Sequence, residues 1–349
     1  MRNSHLRKSP WHRLSHTMWL FLLVLACKSE VADKASQSDQ HSQESESSTN
    51  PPAGQKKTSV DTSSKKQSGA SAILDLLRWI DPQANDLWMG RESRIFDPDT
   101  FATLMALPPR AAKAISDIHD FENALNVYLG DTDSNPKHQF QPAFAVFRPA
   151  VASGNFILRN VKDSTESFTQ NLLSNGWTER KYDGISQYSR LNANFPWKIA
   201  ILDNDTIAGI PLGEIGSGLG PLNIARELPI TGMRQQIEQQ FESNPSMVAL
   251  LFSAGPMLHW NLSENVDFVR LAVQRWKSKG YDITTEMGYT GDHTTALNDL
   301  RSRELNGQSN QLKLIADRVA FEFDAGHIAG RIQITNEDLV HLKPRDGLL

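Results

Sequence analysis

Cysteine is nearly absent from this chain of 349 residues, in which Cys27 is the only one. A single thiol excludes an internal disulfide, and it excludes zinc or iron–sulfur sites built from several thiolates. Long apolar runs are missing too. The longest, residues 18–26, is well short of the roughly 20 residues that a helix needs to cross a bilayer. That run has the length of the apolar core of a secretory signal.

The chain also lacks any block of basic residues, and its formal net charge is -4. Four of its 36 basic residues and none of its 40 acidic residues precede Cys27, which leaves 32 against 40 and a net charge of -8 for the rest. Nucleic acids attract cationic surfaces. The composition therefore argues against nucleic acid as a partner.

The first residues are ordered like a signal peptide. Basic residues come first, an apolar segment begins at Met18, and a small residue, Ala26, precedes Cys27. This leader resembles the lipobox signal peptide of bacterial lipoproteins, which is cut before an invariant cysteine. The resemblance implies that residues 1–26 are removed and that Cys27 is the site of lipid attachment. Lys28, the residue after the cysteine, favours the outer membrane over the inner one in lipoproteins of this type.

Acyl chains on Cys27 would anchor the protein, because each buried methylene contributes about 0.8 kcal/mol. We therefore expect the membrane to be a partner through lipidated Cys27. The expected location is the cell envelope, at the outer membrane and facing the periplasm or the cell surface. An ordinary cleaved signal would instead leave Cys27 as an exposed, oxidisable thiol.

Residues 27–70 are predicted to form a disordered tether behind the acylated cysteine. From residue 28 to residue 70 the segment has no aromatic residue, its only large aliphatic residues are Val31 and Val60, and six basic residues balance six acidic ones. Such a composition buries too little apolar surface to offset conformational entropy. A flexible chain of this length has a root-mean-square reach of roughly 35–40 Å.

The remaining residues predict an α+β body made of antiparallel sheets with helices packed on one face. Its N-terminal half, residues 71–230, is predicted to contain a meander of strands between Trp177 and Ile210, with turns such as Asp183-Gly184. Its C-terminal half, residues 231–349, repeats the mixture of helix and strand. This recurrence would suit two related sub-domains, although no residue-level repeat supports them.

Three patterns in the C-terminal half predict specific elements. Residues 264–279 are predicted to form a helix. A hairpin is predicted further on, with Phe321 and Phe323 two residues apart on its buried face. Thr335 and Asp338 have the spacing of a capping box before a final helix.

No sequence motif assigns a catalytic, cofactor or metal site, and we expect no cofactor. The glycine-rich stretch 213–220 lacks the third glycine of a dinucleotide fingerprint and the Gly-Lys pair of a phosphate loop, so it is interpreted as a connector. Residues 131–135 open like a calcium loop, but Pro136 stands where the turning glycine belongs. His259 beside Trp260 is the most pocket-like histidine, and packing is its simpler interpretation.

These patterns predict a membrane-anchored envelope lipoprotein. Its body is expected to bind or scaffold an envelope protein or a hydrophobic ligand without catalysing a reaction. Two alternatives stay open: a periplasmic carrier of a lipid or other hydrophobic ligand, and a hydrolase whose residues are assembled across the fold. A large apolar cavity would favour the carrier, whereas a converging acid, base and nucleophile would favour the hydrolase.

Overall fold

A computed structural model describes residues 69–93, 96–129, 139–190, 194–254, 265–292 and 310–342, together with residues 294 and 298. All of these lie within one compact unit, Ser64–Leu349. The signal peptide predicted for residues 1–26 lies outside the described residues. So do Cys27 and most of the tether predicted for residues 27–70.

Eight helices occur in the part of the chain that the structure describes. They are α1 (Gly69–Leu77), α2 (Pro98–Leu104), α3 (Pro109–Leu129), α4 (Thr165–Ser174), α5 (Gly220–Glu227), α6 (Met233–Ser243), α7 (Asn310–Ala316) and α8 (Leu339–Leu342). Local sequence explains the start of α2. The Asp97 carboxylate accepts a hydrogen bond from Thr100 N at 2.9 Å, and Pro98 occupies the first turn, as N-terminal helix rules require.

Twelve strands form a single sheet within the same residues. They are β1 (Asp86–Gly90), β2 (Phe140–Arg148), β3 (Phe156–Val161), β4 (Thr178–Tyr182), β5 (Ile185–Ser189), β6 (Trp197–Ile201), β7 (Thr206–Pro211), β8 (Met247–Ala254), β9 (Asn265–Trp276), β10 (Gly280–Thr290), β11 (Ala320–Asp324) and β12 (His327–Thr335). Their order across the sheet is β11-β12-β10-β9-β8-β1-β2-β3-β7-β6-β5-β4. Every neighbouring pair is antiparallel. The predicted α+β class is confirmed, and the predicted meander corresponds to β4–β7.

Helices lie on both faces of the sheet centre, which corrects the expectation of helices on one face. Trp88 and Phe144 face a core that includes side chains of α2, α3 and α4. Leu87 and Met89 face a second core that includes side chains of α1, α5 and α6. β1 is buried at every residue. A strand buried throughout needs cover on both faces, and the mostly apolar sequence of β1 is typical of such strands.

Most of the stretch 264–279 forms β9, so the predicted helix is wrong. Val269, Leu271 and Val273 are buried on one face of β9, while Arg270 between them is exposed. This alternation has the period of two that identifies a strand. Pairing with β8 on one side and β10 on the other fixes the extended conformation.

The predicted C-terminal hairpin is confirmed as the pair β11–β12. Phe321 and Phe323 pack against the core that contains Ile328 and Ile332. Both phenylalanines are only half-buried, because β11 is the edge strand of the sheet. Phe321 lies opposite Gly330, where a Cβ atom would come within 2.8 Å of the Phe321 ring. Glycine at this position therefore leaves room for the aromatic ring.

The predicted capping box before the last helix is also confirmed. Thr335 N donates a hydrogen bond to the Asp338 carboxylate at 2.8 Å, and Asp338 N donates to Thr335 Oγ1 at 3.2 Å. The two residues thus satisfy each other's backbone donors. α8 follows directly, and Leu339 and Leu342 are buried in the core.

The predicted halves 71–230 and 231–349 contribute to the same sheet. β1 from the first half pairs with β8 from the second along its whole length. Side chains also cross between them, since the ring centres of Phe96 and Tyr281 are 5.7 Å apart. The predicted boundary falls between α5 and α6.

Candidate functional site

The candidate site is a groove between α6 and the strands β8, β9 and β10. Its volume is about 490 Å³, within the range of roughly 300–1,000 Å³ found for ligand sites. We name it the α6 groove. Its polar side chains are Gln236, Gln240, Arg270, Gln274, Thr284 and Glu286, and its main apolar ones are Met233, Ile237, Met247, Leu250, Phe252 and Ala272.

A buried arginine fixes α6 over the sheet. The Arg234 side chain is fully buried, as are Ile237 and Phe241 on the same face of the helix. The guanidinium donates hydrogen bonds to four backbone carbonyls, those of Ile80, Ala225, Leu228 and Pro229. Three of these lie at the end of α5, where helix carbonyls lack partners within the helix. Burial lowers the pKa of Arg234, and the charge of Asp81 partly offsets that effect.

Two glutamines of α6 line the groove one turn apart. Gln236 and Gln240 are four residues apart, so they share one flank of the helix at a spacing of roughly 6 Å along its axis. Both are exposed. Gln235 and Gln239 have the same spacing and are also exposed, but they do not line the groove. Substitution of Gln235 and Gln239 is therefore a matched control for substitution of the two groove glutamines.

Planar side chains form a row across the groove floor and beyond it. The Arg270 guanidinium carbon lies 6.0 Å from the ring centre of Phe252 and 5.5 Å from that of Phe268. The rings of Phe268 and His327 come next, with their centres 5.8 Å apart. Contacts between a guanidinium and aromatic rings are attractive. The row gives this face of the sheet a partly exposed set of aromatic and cationic groups.

The described residues that line the α6 groove carry no net charge. Its ionisable side chains are Arg270 and Glu286, which occupy directly opposite positions on β9 and β10. The strands beneath the groove are paired on both sides, so their backbone groups are engaged in the sheet. Each glutamine amide offers two N–H donors and one acceptor oxygen. A ligand in the groove therefore meets exposed amides together with one guanidinium and one carboxylate, above a largely buried apolar floor.

A second concentration of polar side chains lies between α3 and the sheet. Arg159 Nε on β3 is 3.3 Å from Glu122 Oε1 on α3, and their side chains are only 5% and 2% exposed. Ser93 Oγ donates to Glu122 at 2.9 Å, and Arg159 Nη1 donates to Ala143 O at 3.2 Å. This buried ion pair joins α3 to the sheet, so we assign it a structural role.

Within the described residues, no three His, Cys, Asp or Glu side chains come together as the ligands of a metal ion would. No helix in that part of the chain has both the length and the apolar character needed to cross a membrane.

Among the candidates named from the sequence, the glycine-rich stretch 213–220 lies within the described residues, and it does not line the groove. Cys27, the calcium-like stretch 131–135 and His259 lie outside the described residues. The glycine-rich stretch 213–220 connects β7 to α5, and Lys198 Nζ donates to the carbonyl of Gly216 at 3.1 Å. Its interpretation as a connector agrees with this position.

Sequence reasoning missed the α6 groove. One signal was available in the sequence of α6. Gln236 and Gln240 repeat at a spacing of four residues beside Ile237 and Phe241, which gives the helix one polar and one apolar flank. The floor of the groove was not predicted because residues 264–279 were assigned to a helix. In the structure most of this stretch forms β9, the strand that supplies Arg270.

No protein-family model and no curated protein matches the chain. Among solved structures, TP0453 in crystal form III aligns with a TM-score of 0.39 and 12% identity, covering 74% of this chain and 93% of that one. TP0453 in crystal form I aligns with a TM-score of 0.38 and 12% identity, covering 75% and 94%. At this distance the likeness carries no inference about activity.

Proposed function

We propose that the protein is a lipid-anchored component of the cell envelope whose body binds a ligand in the α6 groove without catalysing a reaction. The observation that carries this proposal is the construction of the groove. Its helical wall is fixed by the buried Arg234, and it presents exposed amides above an apolar floor. Polar groups held on rigid elements around an apolar surface are typical of binding sites.

The carrier alternative fits this lining less well. A carrier of lipid must enclose apolar chains, whereas Arg270, Glu286 and three glutamines line the α6 groove. Burying an acyl chain against these groups would desolvate them without supplying hydrogen bonds, which is costly. The lining therefore supports a ligand that has polar groups of its own.

The anchoring part of the proposal rests on the leader sequence around Cys27. We expect the change Cys27→Ser to abolish acylation and to release the protein from membranes, since the acyl chains supply the membrane affinity. Metabolic labelling with a radioactive fatty acid, followed by membrane fractionation, measures both effects. An unlabelled wild-type protein would contradict the proposed anchor.

The binding part is tested by thermal denaturation of the Cys27→Ser chain with separate envelope fractions, namely lipid extract, glycan and protein. A ligand that binds only the native state raises the melting temperature, and the rise grows with the logarithm of the ligand concentration relative to Kd. We expect one fraction to stabilise the parent chain and the control Gln235→Ala/Gln239→Ala, but not Gln236→Ala/Gln240→Ala. Equal stabilisation of all three proteins, or of none, would contradict binding in the α6 groove. Stabilisation by the lipid fraction would favour the carrier.

A further inference from the structure

We infer that the ligand of the α6 groove is a neutral glycan chain bearing acetamido groups. This inference rests on the proposed function and names the ligand class for the same site. It follows from four properties of the groove. Its charges balance, side-chain amides line it, an aromatic ring lies in its floor, and the backbone groups of its strands are already hydrogen-bonded.

The charge of the groove selects against strongly ionic ligands. Arg270 and Glu286 oppose each other across β9 and β10, so neither sign of charge dominates. Among the described lining residues, a phosphate-rich polymer would meet one cation, Arg270, which already contacts the rings of Phe252 and Phe268. A neutral polymer has no charges that need a partner in the groove.

The amides of the groove suit acetamido groups. Gln236, Gln240 and Gln274 each present N–H donors and a carbonyl acceptor. An acetamido group has the complementary N–H and C=O, so each side-chain amide can form a pair of hydrogen bonds with it. The one-turn spacing of Gln236 and Gln240 places two such amides side by side along an extended ligand.

The aromatic floor suits the apolar face of a sugar ring. Phe252 lines the groove, Phe268 lies beyond it on the other side of the Arg270 guanidinium, and both rings are partly exposed. A partly exposed aromatic ring can pack against the C–H face of a pyranose, which leaves the sugar hydroxyls free to reach the amides and water. Because Gln236 and Gln240 are exposed to solvent, hydroxyls beside them keep part of their hydration.

The strands beneath the groove offer no free edge for backbone hydrogen bonds, which disfavours an extended peptide as the ligand. Strands recruit peptides through unpaired edge groups, but β8, β9 and β10 are each hydrogen-bonded to strands on both sides. A peptide lying in the groove would lose the hydrogen bonds between its backbone and water. The three glutamine amides would be the main groups able to replace those hydrogen bonds. The proposed anchor at Cys27 would also hold the body within the envelope, where cell-wall glycan occurs.

The test uses the full mature chain, residues 27–349, carrying Cys27→Ser. Calorimetric titration compares two probes with the same β-1,4 linkage: a hexamer of N-acetylglucosamine and a hexamer of glucose. We expect the acetylated hexamer to bind at least about tenfold more tightly than the glucose hexamer. We expect Gln236→Ala/Gln240→Ala to weaken its binding by about tenfold or more, and Gln235→Ala/Gln239→Ala to leave it within about twofold. Circular dichroism checks that every variant is folded.

Each failure has a separate meaning. Equal binding of the two hexamers would overturn the role of acetamido groups. Equal loss in both glutamine variants would overturn the α6 groove as the glycan site. No binding of either hexamer, together with groove-dependent stabilisation by the lipid or protein fraction, would overturn the glycan inference while leaving the proposed binding function intact.

Discussion

Glu122 and Arg159 meet at the centre of the body, between α3 and β3, with almost no exposure to solvent. Removing one member of a buried ion pair leaves the other without compensation, which costs about 3–5 kcal/mol. We therefore expect Arg159→Met to lower the free energy of unfolding by about that amount. Urea denaturation followed by circular dichroism measures the change.

The exposed Arg180 of β4 provides the control for this prediction. Arg180→Met should change stability by less than about 0.5 kcal/mol, as surface substitutions usually do. The double change Glu122→Gln/Arg159→Met should be less destabilising than the two single effects added together, because it removes the uncompensated charge. Additive single effects would show that the two side chains do not act as a pair.

Asp338 predicts a specific dependence of stability on pH. Burial opposes its ionisation, but hydrogen bonds from Arg318 and Thr335 outweigh that effect and lower the pKa of Asp338. A carboxylate with a lowered pKa stabilises the fold above its unfolded pKa of about 3.9 and loses this contribution as the pH falls through its folded pKa. We expect Asp338→Ala to cost about 1 kcal/mol at pH 7, and less at pH values below about 4.

Denaturant midpoints at pH 7, 5 and 3 test this expectation for Asp338. The control is the neighbouring Glu337→Ala, since Glu337 is exposed and should contribute less than about 0.5 kcal/mol. A destabilisation by Asp338→Ala that grows as the pH falls would contradict the assigned role.

At the scale of elements, variants of the hairpin β11–β12 compare how much an edge strand and its inner neighbour contribute to the free energy of unfolding. Phe321→Ala should cost about 1–2 kcal/mol, because the side chain is only partly buried and less apolar area leaves water on folding. Ile332→Ala should cost about 2–5 kcal/mol, because Ile332 is buried on β12. Glu322 is exposed, and Glu322→Gln should change stability by less than about 0.5 kcal/mol.

Thermal melts of these three hairpin variants give the ranking directly. The account predicts the largest loss for Ile332→Ala and the smallest for Glu322→Gln. A loss for Glu322→Gln that exceeds the loss for Phe321→Ala would mean that the register of β11 is wrong.

The same elements explain what sequence patterns reveal. The hairpin and the meander are predictable because alternation and turn residues are local properties of the chain. The half-exposure of Phe321 is not local, since it depends on β11 lying at the edge of the sheet. β9 escaped prediction because its apolar and polar residues also fit a helical spacing, and only pairing with β8 and β10 decides its conformation.

The two edges of the sheet limit how the body associates with other proteins. The edge strand β4 is short and has exposed Glu179, Arg180 and Lys181, while the opposite edge strand β11 has exposed Glu322 and Asp324. Short, charged edge strands discourage the addition of further strands. This agrees with a ligand site on a face of the sheet rather than at its edge.

At the scale of the whole molecule, the halves 71–230 and 231–349 should not separate into stable domains. A fragment of residues 64–230 would lose β8 and expose the apolar strand β1 as a new edge, and exposed apolar edges aggregate. We expect this fragment to be insoluble or unfolded, and the fragment 64–349 to fold. Size-exclusion chromatography and near-ultraviolet circular dichroism measure both. A monomeric 64–230 fragment with a cooperative melt would indicate two independent domains.

The α6 groove is likewise a property of the whole molecule. Its wall and its floor come from segments separated along the chain, namely α6, β8, β9 and β10. They meet because β8 pairs with β1 and because Arg234 binds α6 to carbonyls that follow α1 and end α5. No short motif encodes this arrangement, so the chemistry of the site is visible only after the chain is folded.

Hydrogen–deuterium exchange of the mature chain, with and without the envelope fraction that stabilises it, tests the central claim most directly. The measurement reports which backbone amides become protected when the ligand binds. The account predicts slower exchange in α6, Met233–Ser243, and no such protection when Gln236 and Gln240 are both changed to Ala. Unchanged exchange in α6, with protection confined to a distant segment such as residues 213–220, would contradict the claim that the α6 groove is the binding site.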